Sequence, residues 1–314
     1  MVILANCEGL TGMPAARDAL EAGRSVLDVV EQGVRAVEAD PRVHSVGRGG
    51  HPNLLGEVEC DAALMDGATR MVGAVGALSG YLHAVSVARE LLQRLPHAFL
   101  VGAGAARFAA EVGAEPAEML TPEARGTHER WLAEHLTPEQ RERLGQGPLA
   151  PHAWRSSQTL ISRGTVVVLA RNARGEFAVG TSTSGWARKY PGRIGDTAVV
   201  GAGFYVDDRY GACACTHSGE MILRAGTSRA VVLAMQRGAT MEEACADAIG
   251  DLARLRGGYL GPVLIHTLDR HGRAHVVSTH DYGDRFAACL WREGSLEIER
   301  VRPCVLATPG GGAT

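Results

Sequence analysis

Apolar positions along this chain repeat with two periods, and the period changes near residue 165. In the first half they recur mostly at helical spacing. Val26, Val30, Val34 and Val37 form one stripe, which predicts a helix from Ser25 to Glu38. Ser25 stands at its N-cap, Asp28 at the capping-box position and Pro41 beyond its end. A second amphipathic helix is expected from Tyr81 to Leu95, stopped by Pro96. The strand-like runs in this half are Val2-Ile3-Leu4, Val58 to Met65 and the glycine-interrupted Met71 to Leu78. Val46 to Asn53, VGRGGHPN, is a glycine-rich loop. It reads either as a turn cluster or as backbone that must pack close to a site. His97 to Val101 followed by GAGAAR outwardly resembles a dinucleotide fingerprint. Its third glycine position is Arg107, however, and the βαβ continuation is missing, so a turn opening a helix to about Val112 is the better reading.

From Thr121 to Ser162 the pattern turns charged and proline-rich. Thr137-Pro138-Glu139-Gln140 there is a strong helix start, with a cap, proline at N1 and glutamine at N3. This stretch is expected to be a mobile connector carrying one or two surface helices. After it the period becomes two. Thr165–Arg171 with Glu176–Thr183, Val263–Leu268 with Ala274–Thr279, and Arg285–Trp291 with Leu296–Val301 flank the glycine-containing stretches Asn172 to Gly175, Asp269 to Gly272 and Arg292 to Ser295. Three hairpins are the expectation. Helices are expected between the first two, at about 219–237 and 241–256. Val166 to Leu169 is apolar at every position, as in a strand covered on both faces. The whole predicts an α+β fold of stacked sheets flanked by helices, and not a doubly wound sheet.

Composition narrows the function classes. The chain has 314 residues, enough for one large domain, and a formal net charge of −3 that provides no broad basic field for nucleic acid. No apolar run reaches membrane-spanning length, and the start MVILANCEG lacks the basic region of a signal peptide. Seven cysteines, an odd number without a CxxC pair, point to a reduced, cytoplasmic protein.

The candidate chemistry is concentrated between Arg163 and Glu220. Thr165 follows Gly164 and opens an apolar β-branched run. A threonine hydroxyl needs a base to become a nucleophile. An α-amine, titrating near about 7.7–8.0, would serve if the 164–165 bond were broken. Taken alone, Thr165 also suits an ordinary strand start. Downstream, GRIGD sets Arg193 and Asp196 three residues apart, a pair able to clamp an α-carboxylate and an α-ammonium, or simply a surface ion pair. Thr216 precedes His217-Ser218-Gly219-Glu220, a strand-to-helix junction whose hydroxyl and N–H groups suit an oxyanion or a plain N-cap. Ser182 and Thr183 in TSTSG are candidates to orient the nucleophile. Cys213, Cys215 and His217 alternate along one strand, which keeps zinc open as an alternative with no fourth ligand apparent.

Together these residues resemble the glycosylasparaginase family of N-terminal-nucleophile hydrolases, close to the plant-type asparaginase/isoaspartyl peptidase branch. VGRGGHPN, LLGEVECDAALMDGATRMVGAVGAL and FLVGAGAARFA are similar to the family's first subunit; TVVV, GTSTSG, GRIGDTAVVGAGFYVDD and THSGE are similar to its second. The resemblance implies a four-layer αββα sandwich, self-cleaved into 1–164 and 165–314 and paired as a dimer of heterodimers. It implies Thr165 as nucleophile and new N-terminus, with Thr183 supporting its hydroxyl and aligning the carbonyl of Gly164. Arg193 and Asp196, with Ile194 and Gly195 between them, would bind an aspartyl unit. Thr216, with His217, Ser218 and Gly219, would form the oxyanion site. No metal or cofactor is implied, and the partner is a small aspartyl amide. Three positions depart from the pattern. Gly164 stands where glycosylasparaginases carry aspartate, His217 replaces a glycine, and Asn6-Cys7-Glu8 lacks the family's substrate-facing tryptophan. The expected activity is hydrolysis of a β-aspartyl amide such as N4-(β-N-acetylglucosaminyl)-L-asparagine. The alternatives are an asparaginase or isoaspartyl dipeptidase on a non-glycosylated substrate, and a silent binder of aspartyl compounds.

Overall fold

The computed structural model describes residues 1–158 and 164–306. Thirteen strands form two sheets among these residues. In chain order the first half contributes β1 (Val2–Ala5), β2 (Cys60–Asp66), β3 (Val72–Leu78) and β4 (Phe99–Val101). The second half contributes β5 (Val166–Arg171), β6 (Phe177–Thr183), β7 (Phe204–Asp207), β8 (Gly211–His217), β9 (Val263–Asp269), β10 (Ala274–Ser278), β11 (Ala288–Arg292), β12 (Glu299–Val301) and β13 (Cys304–Val305). The larger sheet runs β12-β11-β1-β5-β6-β2-β3-β4 and the smaller β13-β10-β9-β8-β7. All pairs are antiparallel except β3 with β4 and β10 with β13. The three expected hairpins are β5–β6, β9–β10 and β11–β12.

Alternation along the strands assigns the faces. Val167, Leu169 and Val179 of the larger sheet pack with Ala212, Ala214 and Leu268 of the smaller one, forming an apolar layer between the two sheets. The opposite face of the larger sheet is covered by α1 (Met13–Glu21), α2 (Val26–Ala39), α3 (Ala84–Arg94) and α4 (Gly102–Glu111). The helix α2 is where the valine stripe placed it. Its four stripe valines are all buried and contribute on the order of 6 kcal/mol at about 1.5 kcal/mol each. The cap at Ser25, whose hydroxyl accepts from Asp28 N–H, adds about 1 kcal/mol. Burial therefore positions α2, and the cap only sets where it begins.

Where one or two surface helices are expected, the stretch carries three: α5 (Pro122–His135), α6 (Pro138–Glu142), which starts on the full capping box of Thr137 and Gln140, and α7 (Ala150–Gln158). Residues 159–163 of the expected connector lie outside the described residues. The helix expected over 219–237 is two helices, α8 (Gly219–Ala225) and α9 (Thr227–Gln236). Gly226 between them has φ +59°, a left-handed conformation that ends a helix. With α10 (Met241–Leu252) they cover the outer face of the smaller sheet, against Cys213, Cys215, Ile265 and Val277. Among the described residues no helix is long and apolar enough to cross a membrane.

Candidate active site

Thr165 directly precedes β5, and period two aims its side chain with Val167 and Leu169 toward the space between the sheets. It is 5% exposed. Its hydroxyl lies 3.2 Å from that of Thr197, and Thr197 is held in turn because Thr181 donates to its carbonyl at 2.8 Å. On the neighbouring strand the Thr183 hydroxyl donates to the carbonyl of Gly164 at 2.8 Å, with the Ser45 carbonyl a second acceptor at 3.2 Å, and accepts from Gly185 N–H at 3.0 Å. Gly164, Thr165 and Thr183 thus meet at one point, with the Gly164 carbonyl held by a hydroxyl.

Two further neighbours meet this junction, and the first, Asn6, has no counterpart in the sequence-based candidates. Asn6, just past β1, exchanges backbone and side-chain bonds with Val167 and donates from Nδ2 to the carbonyl of Thr165 at 2.5 Å. The same amide donates to Glu8 Oε2 at 2.6 Å. The glycine-rich loop is the other neighbour. Ser45, whose carbonyl also takes Ser184 N–H at 2.8 Å, stands beside Gly164. Of its two readings, the loop realises close backbone approach. It is anchored on Glu38 at the end of α2, whose carbonyl accepts from Arg48 N–H and whose buried carboxyl accepts from Ser182 Oγ at 2.6 Å and from Val85 N–H. Burial raises that carboxyl above its ordinary range.

The second group of candidates surrounds Arg193 and Asp196. Arg193 reaches Glu220 Oε1 with both Nε (3.0 Å) and Nη2 (2.7 Å), and its guanidinium lies over the Trp186 ring at 4.4 Å. The clamp pair is therefore not a surface ion pair between Arg193 and Asp196. Arg193 is bonded to Glu220, and Asp196, 3% exposed, leaves its Oδ2 without a hydrogen-bond partner among the described residues. Burial pushes the Asp196 carboxyl up to about 7; Arg193 opposes that shift while Glu220 and Asp61 add to it. A Cβ at Gly219 would come within 2.6 Å of Asp196 Oδ1, so α8 approaches the carboxyl this closely because the residue is glycine. Ile194 lies against Gly76 of β3. Gly195 N–H points to Asp61 Oδ2 at 3.4 Å, and Asp61 Oδ1 accepts from Ala77 N–H at 2.8 Å. The loop is further braced by buried Lys189, which donates to the Glu59 carbonyl at 3.1 Å and lies 3.7 Å from its carboxylate, while that carboxylate takes Gly192 N–H at 2.9 Å. Glu59 and Asp61 both come from the segment ECDAAL, whose alternation read only as a strand.

Thr216 is the penultimate residue of β8 and lies on its inter-sheet face with Ala212 and Ala214. Its hydroxyl lies 2.9 Å from His217 Nδ1. His217 has φ +87°, unusual for a residue with a side chain, and its ring stands 4.2 Å from that of Phe286. Ser218 N–H is committed to the Pro262 carbonyl at 3.0 Å, and Ser218 Oγ has no partner among the described residues. The Thr165, Asp196 and Thr216 groups are linked by Thr197, which follows Asp196, and by Gly219, three residues after Thr216. Cys213 and Cys215 face the outer helices, where Cys215 contacts Ser228 at 3.3 Å. Among the described residues no group of three or more histidine, cysteine or carboxylate side chains is arranged to hold a metal.

Comparison with known proteins places this geometry in context. The family model described as "Asparaginase" matches residues 8–286. An N(4)-(β-N-acetylglucosaminyl)-L-asparaginase of Elizabethkingia miricola is 33% identical over 96% of this chain and 82% of that protein. One of Rattus norvegicus with the same name is 34% identical over 78% of this chain and 75% of its own. An isoaspartyl peptidase/L-asparaginase of Mus musculus is 34% identical over 79% and 71%.

Proposed function

The chain belongs to the asparaginase family of amidohydrolases, and from that premise we propose that it hydrolyses the side-chain amide of a β-aspartyl substrate through Thr165, after cutting itself between Gly164 and Thr165. The observation that carries this reading is the Thr183 hydroxyl on the Gly164 carbonyl, next to a Thr165 hydroxyl whose own partner follows Asp196 in sequence. In this reading the two described sheets and their covering helices form the four-layer αββα sandwich, and the mature protein consists of 1–164 and 165–314. These pair as a dimer of heterodimers in the cytoplasm.

Once freed, the Thr165 α-amine takes the hydroxyl proton as Oγ attacks the amide carbonyl. Thr216 and the backbone of His217, Ser218 and Gly219 face the developing oxyanion. Ser218 N–H is already engaged, so the load falls on the Thr216 hydroxyl and the remaining amides. Asp196 takes the substrate ammonium on its unpartnered Oδ2, and Arg193 takes the α-carboxylate, shared with Glu220. The amine leaves, and water releases aspartate from Thr165. No metal or cofactor enters these steps.

Two substrate classes fit this scheme, N4-glycosylated asparagine and non-glycosylated β-aspartyl amides. The segment Asn6-Cys7-Glu8 lacks the substrate-facing tryptophan that the family resemblance leads one to expect near the N-terminus, and this favours the second class. Intact-mass measurement with N-terminal sequencing tests the processing: two fragments are expected, the second beginning TVVVLA. A purified chain that remains whole through prolonged incubation refutes self-cleavage and favours a silent binder. Turnover of glycosylated asparagine, an isoaspartyl dipeptide and free asparagine, compared side by side, identifies the substrate class.

A further inference from the structure

Glu8 is a partly buried acid next to the bond proposed to break. A Cβ placed on Gly164 would come within 2.6 Å of Glu8 Oε1, and closer still to Ser45 Oγ. A side chain at position 164 would have to displace Ser45 and the Glu8 carboxyl, so glycine there lets both stand against the 164–165 bond. The acid is oriented from its other oxygen: Glu8 Oε2 accepts from Asn6 Nδ2 at 2.6 Å and from Cys7 Sγ at 2.9 Å. The Asn6 amide that holds it also donates to the Thr165 carbonyl. One amide thus ties the held carboxyl oxygen, Oε2, to the residue on the far side of the 164–165 bond and leaves Oε1 facing Gly164.

We propose that Glu8 is the proton-transfer residue of self-cleavage, supplied from across the sheet in place of an acidic side chain at position 164. This inference rests on the reading of Thr165 as a new chain terminus. Thr165 Oγ attacks the Gly164 carbonyl carbon, the Oγ–C bond forms and the C–N bond breaks. Glu8 gives its proton to the Thr165 nitrogen, and the proton released from Oγ returns to Glu8 by way of water. One proton has then moved from oxygen to nitrogen. Water next hydrolyses the ester, leaving the Gly164 carboxylate and a free Thr165 hydroxyl and amine. Burial raises the Glu8 carboxyl above its ordinary range, which favours the proton-carrying form. Its titratable neighbours are Cys7 and, on β11, Cys289, both raised by burial, with Arg300 acting on Cys289; the loop side presents the Ser45 hydroxyl.

The test follows cleavage of the full chain by intact mass from the time of synthesis, across pH, for the wild type, Glu8→Gln and Glu8→Asp. Glu8→Gln is expected to slow cleavage by about 10²-fold, the usual contribution of a general acid–base group, while keeping its melting temperature. The wild-type rate should fall as pH rises through the raised pKa of Glu8, and Glu8→Gln should lose that fall. Glu8→Asp should restore part of the rate and shift the limb, and it carries the test alone if Glu8→Gln does not fold. A wild-type rate in folded Glu8→Gln, or an unchanged pH limb in Glu8→Asp, overturns the proposal while leaving Thr165 in place. A wild-type chain that never cuts refutes the Thr165 reading itself, and this inference with it.

Discussion

The junction at Gly164–Thr165 and the corner around Asp196 are both buried, yet their polar atoms are arranged in opposite ways. At the junction the Gly164 carbonyl, the Thr165 carbonyl and hydroxyl and the Asn6 amide all have partners within the chain. At the corner Asp196 Oδ2, Glu220 Oε2 and Ser218 Oγ have none among the described residues. An unsatisfied buried acceptor costs about 1–3 kcal/mol, so the corner is poised for a donor from outside. The ammonium of an aspartyl unit is such a donor. The junction is already satisfied from within the chain, in keeping with the self-cleavage proposed for it. Two carboxyls mark the difference: Glu8 has one oxygen held by donors and the other beside Gly164, whereas Asp196 keeps an oxygen open.

Breaking the junction should have the largest effect. Thr165→Ala removes the proposed nucleophile of both reactions, so cleavage should vanish and turnover should drop by at least about 10⁴-fold. Residual turnover in a folded Thr165→Ala chain, read by product release, would remove Thr165 from its role. At the corner, Asp196→Asn should lower kcat/KM by about 10²–10³-fold, the scale of breaking a buried charge pair, chiefly through KM. Cleavage of the 164–165 bond should continue in this variant, and its failure there would merge the two regions that the comparison separates.

The same carboxyl makes a finer prediction through pH. Because Asp196 titrates near 7 in the folded chain against an ordinary 3.8, the folded state holds an extra proton between those values. Stability contributed by this group is full below about 3.8 and is lost as pH rises to about 7. Substrate binding has the opposite sign, since the ammonium needs the carboxylate, so kcat/KM should rise with pH through about 7. Melting curves across this window should be flatter for Asp196→Asn than for the wild type; equal slopes would mean that Asp196 titrates elsewhere. The smallest effect is expected at His217. Replacing it by glycine relieves a positive φ, worth about 1–2 kcal/mol, but loses a ring contact with Phe286 worth about 0.5–1.5 kcal/mol. The melting temperature should therefore barely move, while the preference between glycosylated and plain aspartyl amides shifts. A loss above about 3 kcal/mol would show that the ring is structural.

Much of this arrangement is legible in the chain itself. Valine spacing locates α2, the glycine-containing turns locate three hairpins, and the unbroken apolar run Val166 to Leu169 marks β5 as covered on both faces. These succeed because helix and strand periods, caps and turns are local: each depends on residues within a few positions of one another. Thr197 was within reach of the same reasoning, since it adjoins Asp196, but an isolated threonine after GRIGD carries no pattern of its own.

What tertiary structure alone decided is how distant segments meet. Only the strand order places β1 beside β5, with Ala5 opposite Val168, so that Asn6 and Glu8 arrive at a bond nearly 160 residues away in sequence. Only the packing of the 184–197 loop assigns Arg193 to Glu220 and leaves Asp196 open, and only the bracing by Glu59, Asp61 and Lys189 explains why that loop lies where it does. The reason is physical: hydrophobic periodicity specifies which face of a strand is buried, but strand neighbours are chosen by non-local packing. A buried carboxyl acquires its character from whatever that packing brings against it. The chain names its threonines locally; the fold selects the acids that surround them.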